Sequence, residues 1–269
     1  MIAPLHYIRM GYDDDGAGLP VVFLHGFLLD RTLWTHQRLA LMSRVRCIVP
    51  DLRGCGDSSV HGPYSMDQYA DDVIELLNWL EIDRAVICGL SMGGYVAMAM
   101  WRRHPERIAG LVLCDTRATA ESAAAREERT RRIALAEAEG APAVAERQLP
   151  GLVGKTSRER SPEVVAGLYA MMARQPVEGI VGALQAMRDR PDSRQTLASI
   201  TVPTLVIVGE EDVLTPVAEA QAMVDLLPTA TAPRLERIPL AGHASCVERP
   251  AAVSFAIAEF LSSLASARA

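Results

Sequence analysis

Six short runs of near-continuous apolar residues recur along the chain: Val21 to His25, Val45 to Pro50, Ala85 to Gly89, Ile108 to Cys114, Leu205 to Gly209 and Leu235 to Leu240. A strand with one wet face alternates apolar and polar residues, so unbroken runs of this kind demand cover on both faces. Between them lie stretches with apolar residues at helical spacing, over Arg31 to Met42, Ser65 to Leu80, Met92 to His104, Val217 to Leu227 and Pro250 to Leu264. The alternation predicts an α/β architecture, a mostly parallel central sheet with helices on both faces. Leu5 to Met10 is expected to add an edge strand before the acidic turn Asp13-Asp14-Asp15-Gly16.

The stretch 116–200 breaks the rhythm, because it carries helical patterns and turn residues but no buried strand run. It reads as an inserted helical lid between two parts of one core, 1–115 and 201–269. Within it, "SAAAREERTRRIALAEAEG" (122–140) reads as a charged amphipathic helix with a solvated face. Leu168, Tyr169, Met171, Met172, Leu184 and Met187 supply apolar surface, part to pack on the core and part to roof a cavity.

The function classes narrow on charge and composition. At 49% hydrophobic and 22% charged residues the chain reads as an ordinary soluble globular protein. A net charge of -6 offers no positive field, so nucleic acid is not an expected partner. No apolar run approaches the roughly 20 residues that span a bilayer, and Met1 to Met10 lacks the basic-then-apolar pattern of a secretory signal. The expected location is the cytoplasm. The five cysteines, Cys47, Cys55, Cys88, Cys114 and Cys246, are an odd set without CxxC spacing and read as buried thiols. The six histidines show no metal-ligand spacing, so no metal is expected.

Chemistry enters at Gly89-Leu90-Ser91-Met92-Gly93, a G-x-S-x-G at the junction of a strand run and a helix. A nucleophile on such a tight turn needs small residues two positions to either side, and Gly89 and Gly93 satisfy this. The alternative is that Ser91 merely caps the helix. A serine hydroxyl is a poor nucleophile and requires a base and an orienting acid. His243, in the loop after the last strand run, is the candidate base, and Asp212, after "TLVIVGEE", the candidate acid. Asp115, after "LVLC", is the rival acid, with Glu210 and Glu211 weaker ones. Two backbone N–H groups should serve as the oxyanion hole: that of Met92 at the helix start and that of Phe27 after the His25-Gly26 turn. Phe27 and Met92 would also bring apolar side chains to the pocket, and His25 is expected to brace the turn.

With "HGF" at His25 to Phe27, "DLRGCGDS" at Asp51 to Ser58, "GLSMGG" at Gly89 to Gly94, "PTLVIVGEEDVLTP" at Pro203 to Pro216 and "AGHASCVERP" at Ala241 to Pro250, the chain resembles the α/β-hydrolase fold superfamily. Within it, the resemblance is to bacterial carboxylesterases, 3-oxoadipate enol-lactonases and non-haem haloperoxidase (perhydrolase)-like members. It implies an acyl transfer by Ser91, His243 and Asp212 without a cofactor, and structural roles for Arg53, Asp57 and Ser58. Family members with dehalogenase or epoxide hydrolase activity use aspartate where this chain has Ser91. Hydroxynitrile lyases lean on a lysine near the triad, and Lys155 is the one lysine of this chain.

The expected function is therefore a carboxylesterase acting on a small to medium ester. Alternatives are an enol-lactone type of lactonase, a perhydrolase or carbon-carbon bond hydrolase, and, in a different class, a slow or non-catalytic ligand receptor. Leu28, Trp34, Met171, Met172 and Met187 are the expected pocket residues and favour an apolar substrate. Arg174, Arg188, Arg190 and Arg194 in the lid reflect a general preference for arginine over lysine, and argue little for an acidic one. The partner is a small-molecule ester or lactone, and a homo-oligomer is compatible with this reading.

Overall fold

The computed structural model describes residues 1–266; positions 267–269, the last three assigned above to the core, lie outside the described residues. Eight strands form one sheet: β1 (Ile2–Pro4), β2 (Arg9–Asp15), β3 (Pro20–Leu24), β4 (Arg46–Pro50), β5 (Ala85–Leu90), β6 (Ile108–Cys114), β7 (Thr204–Gly209) and β8 (Arg234–Ile238), in the order β1-β2-β4-β3-β5-β6-β7-β8. From β4 to β8 every pairing is parallel, and β1 and β2 add antiparallel at one edge. All six apolar runs contain strands, and β5, β6 and β7 are buried along their whole length, but β8, at the edge of the sheet, buries only Ile238, so the expected cover on both faces fails there.

The helices are α1 (Thr35–Leu41), α2 (Met66–Trp79), α3 (Met92–Arg103), α4 (Ala123–Leu152), α5 (Lys155–Arg160), α6 (Pro162–Ala173), α7 (Val177–Asp189), α8 (Arg194–Ala198), α9 (Val217–Leu226), α10 (Ser245–Glu248) and α11 (Pro250–Ser266). They pack in two groups, α1 with α11 and α2 with α3, α8 and α9, which cover the two faces of the sheet. Between Cys114 and Thr204 the described residues contribute five helices, α4 to α8, and no strand.

The edge strand needs correcting. It does not end before the acidic run: β2 carries Asp13, Asp14 and Asp15 inside it, paired with Val49, Ile48 and Cys47. Three arginines make this possible. Arg46 grips Asp14 through Nε and Nη2 at 2.9 and 2.7 Å, Arg38 pairs with Asp15, and Arg31 reaches Asp13 at 3.4 Å. The acids that looked like a turn are therefore arginine-paired side chains of a strand, one in from the sheet edge.

A second difference lies in α4. At Gly140 the backbone leaves helical geometry (φ 78°, ψ -174°), and Pro142 follows. In a straight helix, residues 128 and 147 would stand about 28 Å apart at 1.5 Å per residue, yet Arg147 Nε lies 3.1 Å from Glu128. The chain folds back at Gly140, so α4 is two arms of a helical hairpin. Both arms overlie the end of the sheet where Ser91 sits.

Candidate active site

The turn between β5 and α3 holds Ser91 at φ 53°, ψ -109°. A non-glycine residue at positive φ carries a conformational cost of order 1–3 kcal/mol, tolerated only where the surroundings over-determine it. Here they do. The Ser91 N–H donates to the Cys114 carbonyl at 2.9 Å, and its carbonyl accepts from Gly94 N at 2.9 Å and Thr116 Oγ1 at 2.8 Å. A Cβ on Gly89 would collide with the Gly93 carbonyl, and one on Gly93 with that of Leu24. The Ser91 side chain makes no capping bond to α3. Its hydroxyl is left facing a cavity of about 150 Å³, which removes the helix-cap alternative.

His243 opens onto the same cavity. Its Nδ1 lies 2.8 Å from Asp212 Oδ2, which fixes Nδ1 as the protonated nitrogen and leaves Nε2 as an acceptor. Asp212 is itself held by its own turn: Oδ1 accepts from the Leu214 and Thr215 amides at 2.8 and 2.9 Å, and Oδ2 from Thr215 Oγ1 at 2.6 Å. Burial works against the charged carboxylate. The charge and hydrogen bond of His243, followed by the Thr215 bonds, outweigh it and hold the Asp212 pKa below the usual carboxylate range.

The rival acids are engaged elsewhere. Asp115 accepts from the Gly209 amide at 2.8 Å and from Ser245 Oγ, and makes no hydrogen bond to His243 among the described residues. Burial, reinforced by the nearby Asp212 charge, pushes its carboxyl well above the usual range. Glu211 accepts from the Thr156 amide and hydroxyl. Glu248, which sequence reasoning missed, ties the histidine loop to the helical segment. Its two carboxylate oxygens accept from Gly242 N and Gly154 N, both at 2.9 Å.

The two candidate oxyanion donors flank this point. Met92 is the first residue of α3, whose N–H has no acceptor within the helix. Phe27 follows a turn braced by His25, whose Nδ1 donates to the Gly26 carbonyl at 2.9 Å while Nε2 accepts from Leu52 N at 2.9 Å. Burial lowers the His25 pKa, consistent with a neutral ring in that bracing position. The Phe27 side chain lines the cavity. The Met92 side chain does not: it is fully buried, because α3 is covered by β5 and β6 on one side and α2 on the other.

Of the other expected pocket residues, Met187 lines the cavity. Leu28, Trp34 and Met172 are buried in the core, with Trp34 5.4 Å from the Phe23 ring, and Met171 lines a separate depression beside Leu33 and His36. Arg53 and Ser58 are structural: Arg53 forms a buried pair with Asp72, and Ser58 Oγ bridges the Asp51 carbonyl and Gly11 N. Asp57 pairs with Arg31.

The largest departure concerns α4. Glu128, Arg129 and Arg132, read from sequence as a solvated face, line the cavity together with Arg117, Glu121, Tyr95 and Gln148. The fold-back at Gly140 brings the second arm against that face and leaves it partly exposed toward the cavity. Thr215 is a further omission, legible afterwards in its Asp-x-x-Thr spacing from Asp212.

The α/β hydrolase fold family model matches residues 20–250. A 3-oxoadipate enol-lactonase of Acinetobacter baylyi is 32% identical over 94% of this chain and 91% of its own length. Among solved structures, a thermophilic esterase from Thermogutta terrifontis, determined with malate bound, superposes with a TM-score of 0.94 at 40% identity, over 98% of both chains. The enol-lactonase of Burkholderia xenovorans LB400 gives 0.90 at 31% identity, over 97% of this chain and 100% of that one. With its parallel sheet, its serine turn after β5 and these likenesses, the chain belongs to the α/β-hydrolase fold family.

Proposed function

We propose that this protein is a serine hydrolase that cleaves small carboxylic esters through an acyl-enzyme. Ser91 attacks the ester carbonyl while His243 Nε2 takes its proton and later returns it to the leaving alcohol. Asp212 orients the imidazole and stabilises its charged form. The Phe27 and Met92 N–H groups stabilise the oxyanion, each contributing on the order of 3 kcal/mol. Water then releases the acid, and residues 116–200 act as the lid that screens the reaction.

The observation that carries this reading is the uncapped Ser91 hydroxyl, on a strained turn, sharing one cavity with a histidine bonded to a buried aspartate. Lactone opening is the second reading, supported by enol-lactonases among the relatives. A panel of p-nitrophenyl esters and lactones tests both. Turnover should fall by about 10⁴-fold or more in Ser91→Ala, and an organophosphate should label Ser91. Absence of turnover and of labelling across the panel would refute the hydrolase reading in favour of a receptor.

A further inference from the structure

Above Ser91 the cavity wall is charged. Arg117, Arg129 and Arg132 line it, with Glu121 and Glu128. Both carboxylates are already occupied. Glu121 lies 3.1 Å from Arg129, 3.4 Å from Arg117 and 3.6 Å from Arg190. Glu128 takes Arg131, Arg132 and Arg147 at 3.0, 3.2 and 3.0 Å, and Arg131 also holds Glu127. The cavity wall thus carries three arginines against two glutamates, while Arg131 and Arg147 reach Glu128 from the exposed side, on a chain whose net charge is -6.

The guanidinium groups have donors to spare. Arg117 reaches Glu121 through Nη2, while its buried Nε has no partner among the described residues. Arg132 uses Nε on Glu128 and Nη1 on Gln148. Burial, with added repulsion from Arg129 and Arg147, outweighs Glu128 and lowers the Arg132 pKa. Burial is the first cause of that lowering and the neighbouring cations the second, whereas Arg117, though buried, is raised by Tyr95 and Glu121. A buried donor without an acceptor is costly, more so when charged, and a carboxylate is the group whose geometry fits a guanidinium edge. Of the arginines named from sequence, Arg174 holds Asp30, Arg188 holds Asp189 and Arg194 holds Asp192, away from the cavity, while Arg190 stands behind the wall, near Glu121 and 4.0 Å over the Tyr95 ring.

We propose that the substrate is an ester carrying a second, ionised carboxyl group a few carbons from the scissile bond, bound by Arg117 and Arg132. This rests on the serine-hydrolase reading above and narrows it from esters in general to half-esters of short dicarboxylic acids. Shortness follows from volume. About 150 Å³ is below the roughly 300–1,000 Å³ of sites for drug-sized ligands.

The test compares monomethyl with dimethyl succinate, glutarate and adipate on the whole protein, so that charge varies at constant chain length. The monoester should have the higher kcat/KM by about tenfold at low ionic strength, with the gap narrowing as salt screens the arginines. Arg117→Gln and Arg132→Gln should each lower the monoester-to-diester ratio by about tenfold, chiefly through KM, and Arg117→Lys should restore part of it. A parallel arm measures binding of glutarate and of uncharged glutaramide to Ser91→Ala protein by calorimetry. Glutarate should bind more tightly, and the Arg117→Gln change on that background should abolish the difference. Preference for the diester, or a ratio that neither arginine variant moves, would overturn the proposal, as would equal binding of the two ligands. If no ester of any kind is turned over, the hydrolase reading fails, and the binding arm still decides the anion site.

Discussion

One cavity is bounded by two regions built on different principles. Its floor comes from the sheet: Ser91, Asp212 and His243 all stand on loops just past the ends of β5, β7 and β8, and backbone contacts set their positions. Its roof comes from α4 and the loop before it, where long charged side chains reach in from helices that fold back on themselves. The floor tolerates almost no change in covalent shape, as the collisions awaiting a Cβ at Gly89 or Gly93 make plain. The roof is defined by charge rather than by shape. On the proposals above, reaction type belongs to the first region and substrate choice to the second.

The largest effect that would sharpen this contrast lies in the floor. Asp212→Asn preserves size but removes the acceptor that fixes the His243 tautomer, and should lower kcat by about 10³–10⁴-fold. Asp115→Asn keeps an acceptor for Gly209 N, can donate to Ser245 Oγ, and should leave kcat within about threefold. The reverse ranking would move the acid to β6. The two also separate in pH dependence. The folded-state pKa of Asp115 is raised, so its contribution to stability is fully present below the unfolded carboxylate value and is lost as pH rises through the folded value. Asp115→Asn should therefore gain stability over wild type as pH increases, measurable as a widening difference in Tm.

Gly93→Ala comes next. Its methyl group would strike the carbonyl of Leu24, and those of His25 and its neighbours leave no direction of retreat. A loss of about 3 kcal/mol or more is expected, as for overpacking against backbone. Chemical denaturation reads it directly, and a variant with wild-type stability would show that the turn is looser than its contacts indicate.

The same division explains what the sequence discloses. Sheet strands announce themselves because cover on both faces forces continuous apolar runs, and the turn at Ser91 because its glycines have no substitute. Asp212 and His243 follow from their place after strand runs, where the end of a parallel sheet gathers its loops. The acidic strand β2 was hidden because its partner arginines lie 18 to 32 positions away in the chain, and no local pattern pairs Asp14 with Arg46. The inward face of α4 was hidden for a related reason. An amphipathic helix shows which face is charged, but not that Gly140 turns a second arm against it. Leu28, Trp34 and Met172 illustrate the converse error, in which apolar residues near a site in sequence serve the core instead.

A smaller effect probes the seam between the regions. Glu248→Ala would strip the Gly242 and Gly154 amides of their shared acceptor, leaving two buried donors unsatisfied at about 1–3 kcal/mol each. Glu248→Gln should not rescue it, since one of its two terminal atoms is itself a donor facing an N–H. Loss of about 2–4 kcal/mol in both variants is expected by denaturation. A Gln variant as stable as wild type would mean that the histidine loop and the helical segment are not joined through this carboxylate.

The smallest effect is of opposite sign and belongs to the helical segment beside the roof. Gly167 lies inside α6 with nothing within 4 Å of where its Cβ would stand. It has no positive φ to protect, unlike Gly140 at the fold-back. Gly167→Ala removes backbone freedom from the unfolded chain and adds a helix former without a collision, so a gain of about 0.5–1 kcal/mol is expected. A floor glycine and a glycine of the helical segment should thus respond to the same methyl group in opposite directions, by roughly 3 kcal/mol of loss against about 1 or less of gain. Destabilisation by Gly167→Ala would show that the helical segment is as closely packed as the sheet beneath it, and would break the comparison.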